Sequence, residues 1–239
     1  MADYGLSVTN NGGSVIISNL YKIMVFSERG SFRITSSFTD RGGQGSYVFA
    51  RPIKTQEPPQ LFFGNLSGLH PKVSVYITLI GGPGNWTGFV ANSAIAGGNN
   101  LQNTYVEFVA CKYCDTPNPN QYGMNQWDAN GNILYSSEDR VVRYSKFAKN
   151  WTFVSGNEVF TYRSNVTLDA DDFVCISAFD RGVTWFIGFD FAGMTILDNG
   201  VPTLNITVNV PGGGNAYPYG ANTSFCVPVC KFPVDRFHN

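Results

Sequence analysis

The chain has 239 residues, enough for one or two domains of usual size and for a substantial hydrophobic core. Charged residues make up only 14% of it, and 16 Lys and Arg face 17 Asp and Glu, so we expect no nucleic-acid binding. Aromatic residues reach 15%, which argues against disorder, and no apolar run is long enough to insert into a membrane as a helix.

The opening residues contain no basic region followed by an apolar one, so we expect no secretory leader. Short β-prone runs closed by turn residues then recur, for example Val73–Ile80 before Gly-Gly-Pro-Gly and Thr203–Val210 before Pro-Gly-Gly-Gly. Strong helix formers are sparse. This pattern predicts an all-β fold of β-sandwich-like domains with little or no helix.

An internal repeat organises these runs. Residues 4–26 match residues 122–144 without a gap at an offset of 118, and both segments begin with Tyr-Gly. The triplet that starts at Cys111 matches the triplet that starts at Cys230 at an offset of 119. These matches predict a tandem duplication of two β-sandwich-like domains, residues 1–118 and 119–239, with the boundary near Asp115–Gln121.

A third match, weaker than the other two, pairs Val75–Leu79 with Val174–Ala178 at an offset of 99. Residues 6–17 follow the strand, Asn-Asn-Gly-Gly turn, strand pattern of a hairpin, and we expect the matched second segment to form one too. Ser136–Asn150 has loose helical spacing, but the match assigns Ser136–Tyr144 within it to extended or loop structure rather than to a helix. Glycines and prolines flank aromatic residues in Thr39–Phe63, which we interpret as an arm or long loop, either partner-bound or an ordinary surface excursion.

The cysteines leave three interpretations open. Cys111, Cys114, Cys226 and Cys230 could supply four thiolates to Zn²⁺ or an iron–sulfur cluster if the ends of the two copies meet. The alternatives are small buried thiols, which need no cofactor, and disulfides, which the expected absence of a leader disfavours.

Nothing in the sequence assembles a catalytic set, so we expect no enzyme. The two histidines lie in a loop and next to the last residue, and no phosphate-binding glycine motif precedes a credible helix. The segment that starts at Asp128 resembles a fragment of a calcium loop, but a β-turn explains it and its first-copy match. We interpret Asp169, Asp171 and Asp172 as a polar turn.

Four aromatic residues are candidates for stacking on a sugar: Trp86, Trp185, Tyr217 and Tyr219. Trp86 and Trp185 match each other at the offset of 99, which favours a packing role for both. Tyr217 and Tyr219 flank a proline in a Gly-rich stretch, which favours an exposed aromatic patch.

The opening Tyr4-Gly5, the polar turn with glycine, the β-run and Ser18 resemble the start of small tail-associated virion proteins of tailed bacteriophages. Tyr122-Gly123 repeats that opening, with Gln126 where the pattern prefers valine. The resemblance implies a structural role near the tail tip, baseplate or fibres, contacts with other virion tail proteins, and assembly in the host cytoplasm. It brings no catalytic residues.

The composition is compatible with this role, because long-lived protein interfaces are rich in Tyr, Trp and Phe and poor in Lys and Glu. We expect a homo-oligomer, with a trimer favoured because six similar domains could match a sixfold tail to a threefold tip. A receptor- or carbohydrate-binding module that contacts a host surface glycan is the alternative function.

Overall fold

The computed structural model of the chain describes residues 7–9, 15–18, 21–36, 42–64, 73–95, 103–120, 122–155, 159–179, 191–197, 203–209 and 226–239. Within these ranges the chain forms strands and a single turn of 3-10 helix, Ile176–Phe179. The all-β prediction is therefore confirmed.

The strands in chain order are β1 (Ser7–Thr9), β2 (Val15–Ser18), β3 (Met24–Ser36), β4 (Gly42–Ile53), β5 (Gln60–Gly64), β6 (Val73–Gly82), β7 (Asn85–Ile95), β8 (Asn103–Tyr113), β9 (Asn125–Trp127), β10 (Ile133–Ser136), β11 (Tyr144–Ala148), β12 (Trp151–Ser155), β13 (Val159–Thr167), β14 (Asp172–Cys175), β15 (Phe191–Leu197), β16 (Thr203–Asn209) and β17 (Val227–Lys231).

Thirteen of these strands form one antiparallel sheet in the order β11-β17-β14-β5-β8-β3-β4-β7-β6-β15-β16-β13-β12. The end strands β11 and β12 are separated in the chain only by Lys149 and Asn150. β11 also contacts β13, which lies next to the far end of the order. The sheet therefore curls around until its two ends meet.

The strands of both predicted halves belong to this sheet. β3 to β8 lie together in the middle, and strands from β11 onward continue the sheet on both sides. The junctions are β5 against β14 and β6 against β15. The predicted domain boundaries and the complete duplication stay predictions, while the described halves share one sheet.

The pairing registers of the two halves correspond where the sequence match is strongest. In β1–β2 the paired residues are Ser7 with Ser18, Val8 with Ile17 and Thr9 with Val15. In β9–β10 the pairs are Asn125 with Ser136, Gln126 with Tyr135 and Trp127 with Ile133, each shifted by 118. Both hairpins have their register irregularity at the same position. The two expected hairpins are therefore confirmed as antiparallel pairs, although the turn residues 10–14 lie outside the described ranges.

The same correspondence holds in the large sheet. β3 bulges against β8 between Phe26, opposite Cys111, and Glu28. β11 bulges against β17 between Tyr144, opposite Cys230, and Lys146. Since β11 and β12 together span the residues that match β3, the order β5-β8-β3-β4-β7-β6 is repeated as β14-β17-β11/β12-β13-β16-β15.

Corresponding segments also pair with each other. Phe62 of β5 lies opposite Cys175 of β14, and Val75 of β6 lies opposite Met194 of β15. Val142 N donates to Met24 O at 3.0 Å, between segments matched at the offset of 118. Antiparallel pairing of an element with its own counterpart is what a two-fold axis produces. This pairing is the one expected if the two halves are similar.

Two sequence interpretations are wrong. Thr39–Phe63 is not an arm or long loop where it is described: it contains β4 and most of β5, and Leu61, Phe62 and Phe63 are fully buried. The match of Val75–Leu79 with Val174–Ala178 is not a structural one. Val174 lies opposite Val229 as Leu61 lies opposite Ala110, so the counterpart of β14 is β5.

The core divides between the two faces of the sheet. The larger cluster combines aromatic residues of the first half, such as Phe63, Phe89 and Phe108, with aliphatic residues of the second, such as Val174 and Val229. Truncating one of these phenylalanines to alanine typically costs about 3–5 kcal/mol. A second cluster covers the opposite face, where the C-terminal Phe232 and Phe237 pack over the sheet. The sheet is therefore buried on both faces where β14, β5 and β8 run side by side.

Candidate functional site

The structure does not bring the four predicted metal-binding cysteines together. Cys111 and Cys230 are buried in the second cluster, Cys114 is buried in a separate cluster under β9–β10, and Cys226 is exposed. Cys175, which the predicted set left out, lies in the same cluster as Cys111 and Cys230. The sequence could not have shown this grouping, because it arises from the pairing of β14 with both β17 and β5.

Burial governs the chemistry of these thiols. It raises the pKa of Cys111, with Cys230 and Cys175 as neighbouring groups that raise it further. Burial, followed by a hydrogen bond with Asp139, raises the pKa of Cys114 to about 12. Thiolates are the nucleophilic and metal-ligating form, so the described environment favours neutral, unreactive side chains. The buried-thiol interpretation fits this geometry better than a four-thiolate cluster.

Among the predicted sugar-stacking residues, only Trp86 is described with its side chain. Its ring packs against the large core cluster, and its Nε1 donates to Thr55 O at 3.0 Å. This is the contact pattern of a packing anchor, because both the apolar face and the indole N–H are engaged within the protein. Trp185, Tyr217 and Tyr219 lie outside the described residues.

The acidic turn between β13 and β14 is an ion-pair network. Asp172 has a fully buried side chain, and its Oδ2 accepts from Lys146 Nζ at 2.6 Å and from Asp169 N at 2.8 Å. Lys231 Nζ lies 2.5 Å from Asp171 Oδ1 and 3.2 Å from Asp169 Oδ2. Hydrogen bonds from these lysines hold the pKa values of Asp169 and Asp171 below their usual range.

In the part of the chain that the structure describes, Asp169, Asp171 and Asp172 are the only cluster of three potential metal ligands close enough to share an ion. Lys146 and Lys231 already provide two positive charges at these carboxylates. The network therefore fits the predicted polar turn, cross-linked by ion pairs to β11 and β17.

The turn after β9 is closed by its own side chain. Asp128 Oδ1 accepts from the main-chain N of Asn130 and of Asn132, both at 2.8 Å, and Oδ2 accepts from Asn132 Nδ2. Gly131 has a φ of 82°, the left-handed conformation that glycine tolerates best. Both carboxylate oxygens thus serve the turn, which supports the turn interpretation over a calcium loop.

The two residues of the repeated pair Tyr122-Gly123 have different explanations. Gly123 has a φ of 131°, and a Cβ there would lie 2.3 Å from Asn118 Nδ2, which donates to Tyr122 O at 3.0 Å. The backbone therefore requires the glycine. Tyr122 is 86% exposed, so packing within the chain does not account for the tyrosine.

Other large apolar side chains are exposed near this hairpin. Met124 and Trp127 on or beside β9 are 41% and 50% exposed. We call Tyr122, Met124 and Trp127 the β9–β10 surface. Its counterpart beside β1 begins with Tyr4, whose side chain lies outside the described residues.

Within the described residues, no helix has the length and apolar character needed to cross a membrane. No protein-family model matches the chain, and comparisons with curated proteins and with solved structures give no significant match.

Proposed function

We propose that this chain is a structural virion protein of a tailed bacteriophage, located at the tail tip, baseplate or fibre attachment and acting through protein–protein contacts. The observation that carries the proposal is Tyr122, a residue repeated at the matching position of the other half and yet 86% exposed. Both halves contain this tyrosine, and packing within the chain does not account for Tyr122. Contact with another protein explains it best, since tyrosine is enriched at interfaces.

We further propose that the two halves arose by duplication. The identical hairpin registers, the matching bulges and the pairing of β5 with β14 support this. A duplicated chain would carry the same contact sequence twice, at Tyr4-Gly5 and at Tyr122-Gly123. Other virion tail proteins and further copies of this chain are the proposed partners, with a trimer as the proposed assembly.

Native mass spectrometry of the purified chain, whose monomer mass is 26.2 kDa, tests the assembly. We expect a trimer that Tyr122→Ala shifts toward monomer, and we expect peptides of the chain in purified phage particles. Tyr21→Ala is the matched control, because Tyr21 is also an exposed tyrosine, at 73%, but lies outside the repeated pair. A chain that stays monomeric at high micromolar concentration and is missing from particles would contradict the proposal.

Carbohydrate binding at the virion surface is the second candidate, favoured by the half-exposed Trp127 beside the Asn-rich turn. An exposed indole next to amide side chains suits a sugar ring. A glycan array probed with the chain would give signals that Trp127→Ala abolishes and Tyr21→Ala retains. If no glycan signal depends on Trp127, this candidate is excluded.

A further inference from the structure

The three thiols of the second cluster lie beside three phenylalanines on the same face of the sheet. In each case the cysteine and the phenylalanine are directly opposite each other on neighbouring strands: Cys111 and Phe26, Cys175 and Phe62, Cys230 and Phe173. Directly opposite residues share one face of a sheet and have adjacent side chains. A segment that covers the three rings therefore also covers the three thiols.

Residues 232–239, which we call the strap, cover these rings with two phenylalanines of their own. The strap's rings pack on all three rings of the sheet, with centroids 5.3–5.8 Å apart: Phe232 on Phe62 and Phe173, and Phe237 on Phe26. The two rings of the strap also pack edge-on against each other, with centroids 5.1 Å apart. Both are buried. The strap is thus the outer layer of the second cluster, over the thiols.

Side chains, rather than a strand ladder, attach the strap to the rest of the molecule. Arg29 N donates to Asn239 Oδ1 at 2.7 Å, and Asn239 Nδ2 donates to Arg29 O at 2.6 Å. The Arg29 guanidinium donates to the carbonyl of the first strap residue at 2.8 Å. Arg140 donates to the carbonyls of Arg236 and His238, and these bonds and those of Asn239 are exposed to solvent. Among the described residues, no hydrogen bond between main-chain groups links the strap to the sheet.

The strap is fixed at one end and closed upon itself. Lys231, the last residue of β17, is anchored by its Nζ, which lies 2.5 Å from Asp171 Oδ1. Inside the strap, Pro233 O accepts from Arg236 N at 3.1 Å and from Phe237 N at 2.9 Å. Segments held by exposed hydrogen bonds open locally at a lower free energy than core strands. We therefore expect the strap to move as one unit from residue 232 onward, while the sheet beneath it keeps its pairing.

We propose that the strap controls access to the thiols of Cys111, Cys175 and Cys230, which become reachable from solution when it opens and are shielded when it closes. In the open form water can solvate the thiolate, the reactive form of cysteine, which the closed form disfavours. Reaction of these thiols then depends on opening of the strap and not on unfolding of the chain. The strap is distinct from the β9–β10 surface, so the inference stands or falls independently of the proposed function.

The test measures the labelling rate of each cysteine by N-ethylmaleimide in the full chain, with peptide mass spectrometry to identify the labelled site. Asn239→Ala removes both hydrogen bonds to the main chain of Arg29, so labelling of the three covered thiols should become about tenfold faster. Cys114, buried in a separate cluster under β9–β10, should keep its rate. Val234→Ala, at a strap residue whose side chain is 62% exposed, is the matched control and should change no rate. Circular dichroism confirms that each variant is folded.

Urea separates opening of the strap from unfolding of the chain, because the dependence of a rate on urea scales with the surface exposed. Labelling of the covered thiols at low urea should depend on urea much less steeply than global unfolding does. Labelling with the full urea dependence of unfolding would show that these thiols are reached only in the unfolded chain, and would overturn the proposal. An Asn239→Ala variant that accelerates Cys114 as much as Cys111, or that labels no faster than Val234→Ala, would refute it as well.

Discussion

Glu28 and Lys146 occupy the same position in the two halves and have opposite charges. Each follows the bulge of its strand, β3 or β11, and each hydrogen-bonds the main chain of another strand, β4 for Glu28 and β13 for Lys146. Glu28 Oε2 accepts from Ala50 N at 3.0 Å, and Lys146 Nζ donates to Thr167 O at 2.8 Å. A polar side chain thus follows the bulge in both halves, accepting from a main-chain N–H in one and donating to a main-chain carbonyl in the other.

The surroundings differ in how they neutralise that charge. Lys146 lies against Asp172 and Asp169, which provide carboxylates at 2.6 and 3.0 Å. Around Glu28, the groups that favour its charged form are hydrogen bonds from Tyr47 and Ala50 N, and burial outweighs them and raises the pKa of Glu28. A lysine is thus paired with acids in one half, while a carboxyl group is held by neutral donors in the other.

The largest effect is expected from reversing the charge in the second half. Lys146→Glu would place a carboxylate against Asp172 and Asp169 and leave Thr167 O without its donor. We expect a loss of about 3 kcal/mol in the free energy of unfolding, measured by urea denaturation, as for a broken buried ion pair. Lys54→Glu, at an exposed lysine bound to Asn85 Oδ1, is the control and should change it little. Equal losses in both variants would show that position 146 has no special role.

A smaller effect is expected from neutralising the buried acid. Asp172→Asn keeps the shape and weakens the charge-assisted hydrogen bond from Lys146, so we expect a loss of about 1–2 kcal/mol in urea denaturation. Asp171→Asn is the matched control, since Asp171 is an exposed member of the same network, and its midpoint should not move. If Asp171→Asn lost more stability than Asp172→Asn, Asp171 rather than Asp172 would be the acid on which the network depends.

The smallest effect concerns Glu28 and depends on pH. Because the pKa of Glu28 is raised by burial, the folded state holds this proton more tightly than the unfolded state. Stability from this group is therefore present below the unfolded pKa and is lost as pH rises through the folded pKa. Glu28→Gln should remove that loss, so its thermal midpoint should exceed the wild-type midpoint at pH 7 and match it near pH 4. A difference that is the same at both pH values would contradict the raised pKa.

Local features of this fold could be predicted from the sequence. The two hairpins follow from short periodic runs and from the 118-residue match, and the pairs β1–β2 and β9–β10 confirm them. The assignment of Ser136–Tyr144 to extended or loop structure is also confirmed, since this segment leads from the end of β10 to the start of β11 without a helix. The shared sheet could not be predicted. In the first half taken alone, the outermost strands β5 and β6 would each lack a neighbour on one side. Neither sequence contains a pattern that shows β14 will pair with β5 or β15 with β6.

The error over Thr39–Phe63 has a physical cause. Its glycines suggested loops, yet Gly45 lies within β4, where a Cβ would come within 2.5 Å of Arg33 O. Gly64, which directly follows Thr39–Phe63 at the end of β5, lies under the Phe173 ring, 2.6 Å from where a Cβ would be. These glycines admit close main-chain and aromatic packing, and composition alone does not distinguish that from a turn.

The cysteine site could not be predicted for a related reason. The spacing within each pair suggested a shared ion, but Cys114 follows the end of β8 and lies under β9–β10, whereas Cys111 lies within β8 and faces the second cluster. Only the three-dimensional pairing of β14 with β17 and β5 brings Cys175 to Cys111 and Cys230.

The pairing of each junction strand with its own counterpart has a consequence for biosynthesis. During synthesis, a neighbouring copy of the chain exposes the same β5 and β14 edges. A half of one chain can therefore pair with a half of another chain and form a swapped oligomer. The short connection of residues 114–124 opposes this, because it keeps the two halves of one chain at a high effective concentration. Lengthening that connection should increase misassembly during expression without changing any contact in the finished fold.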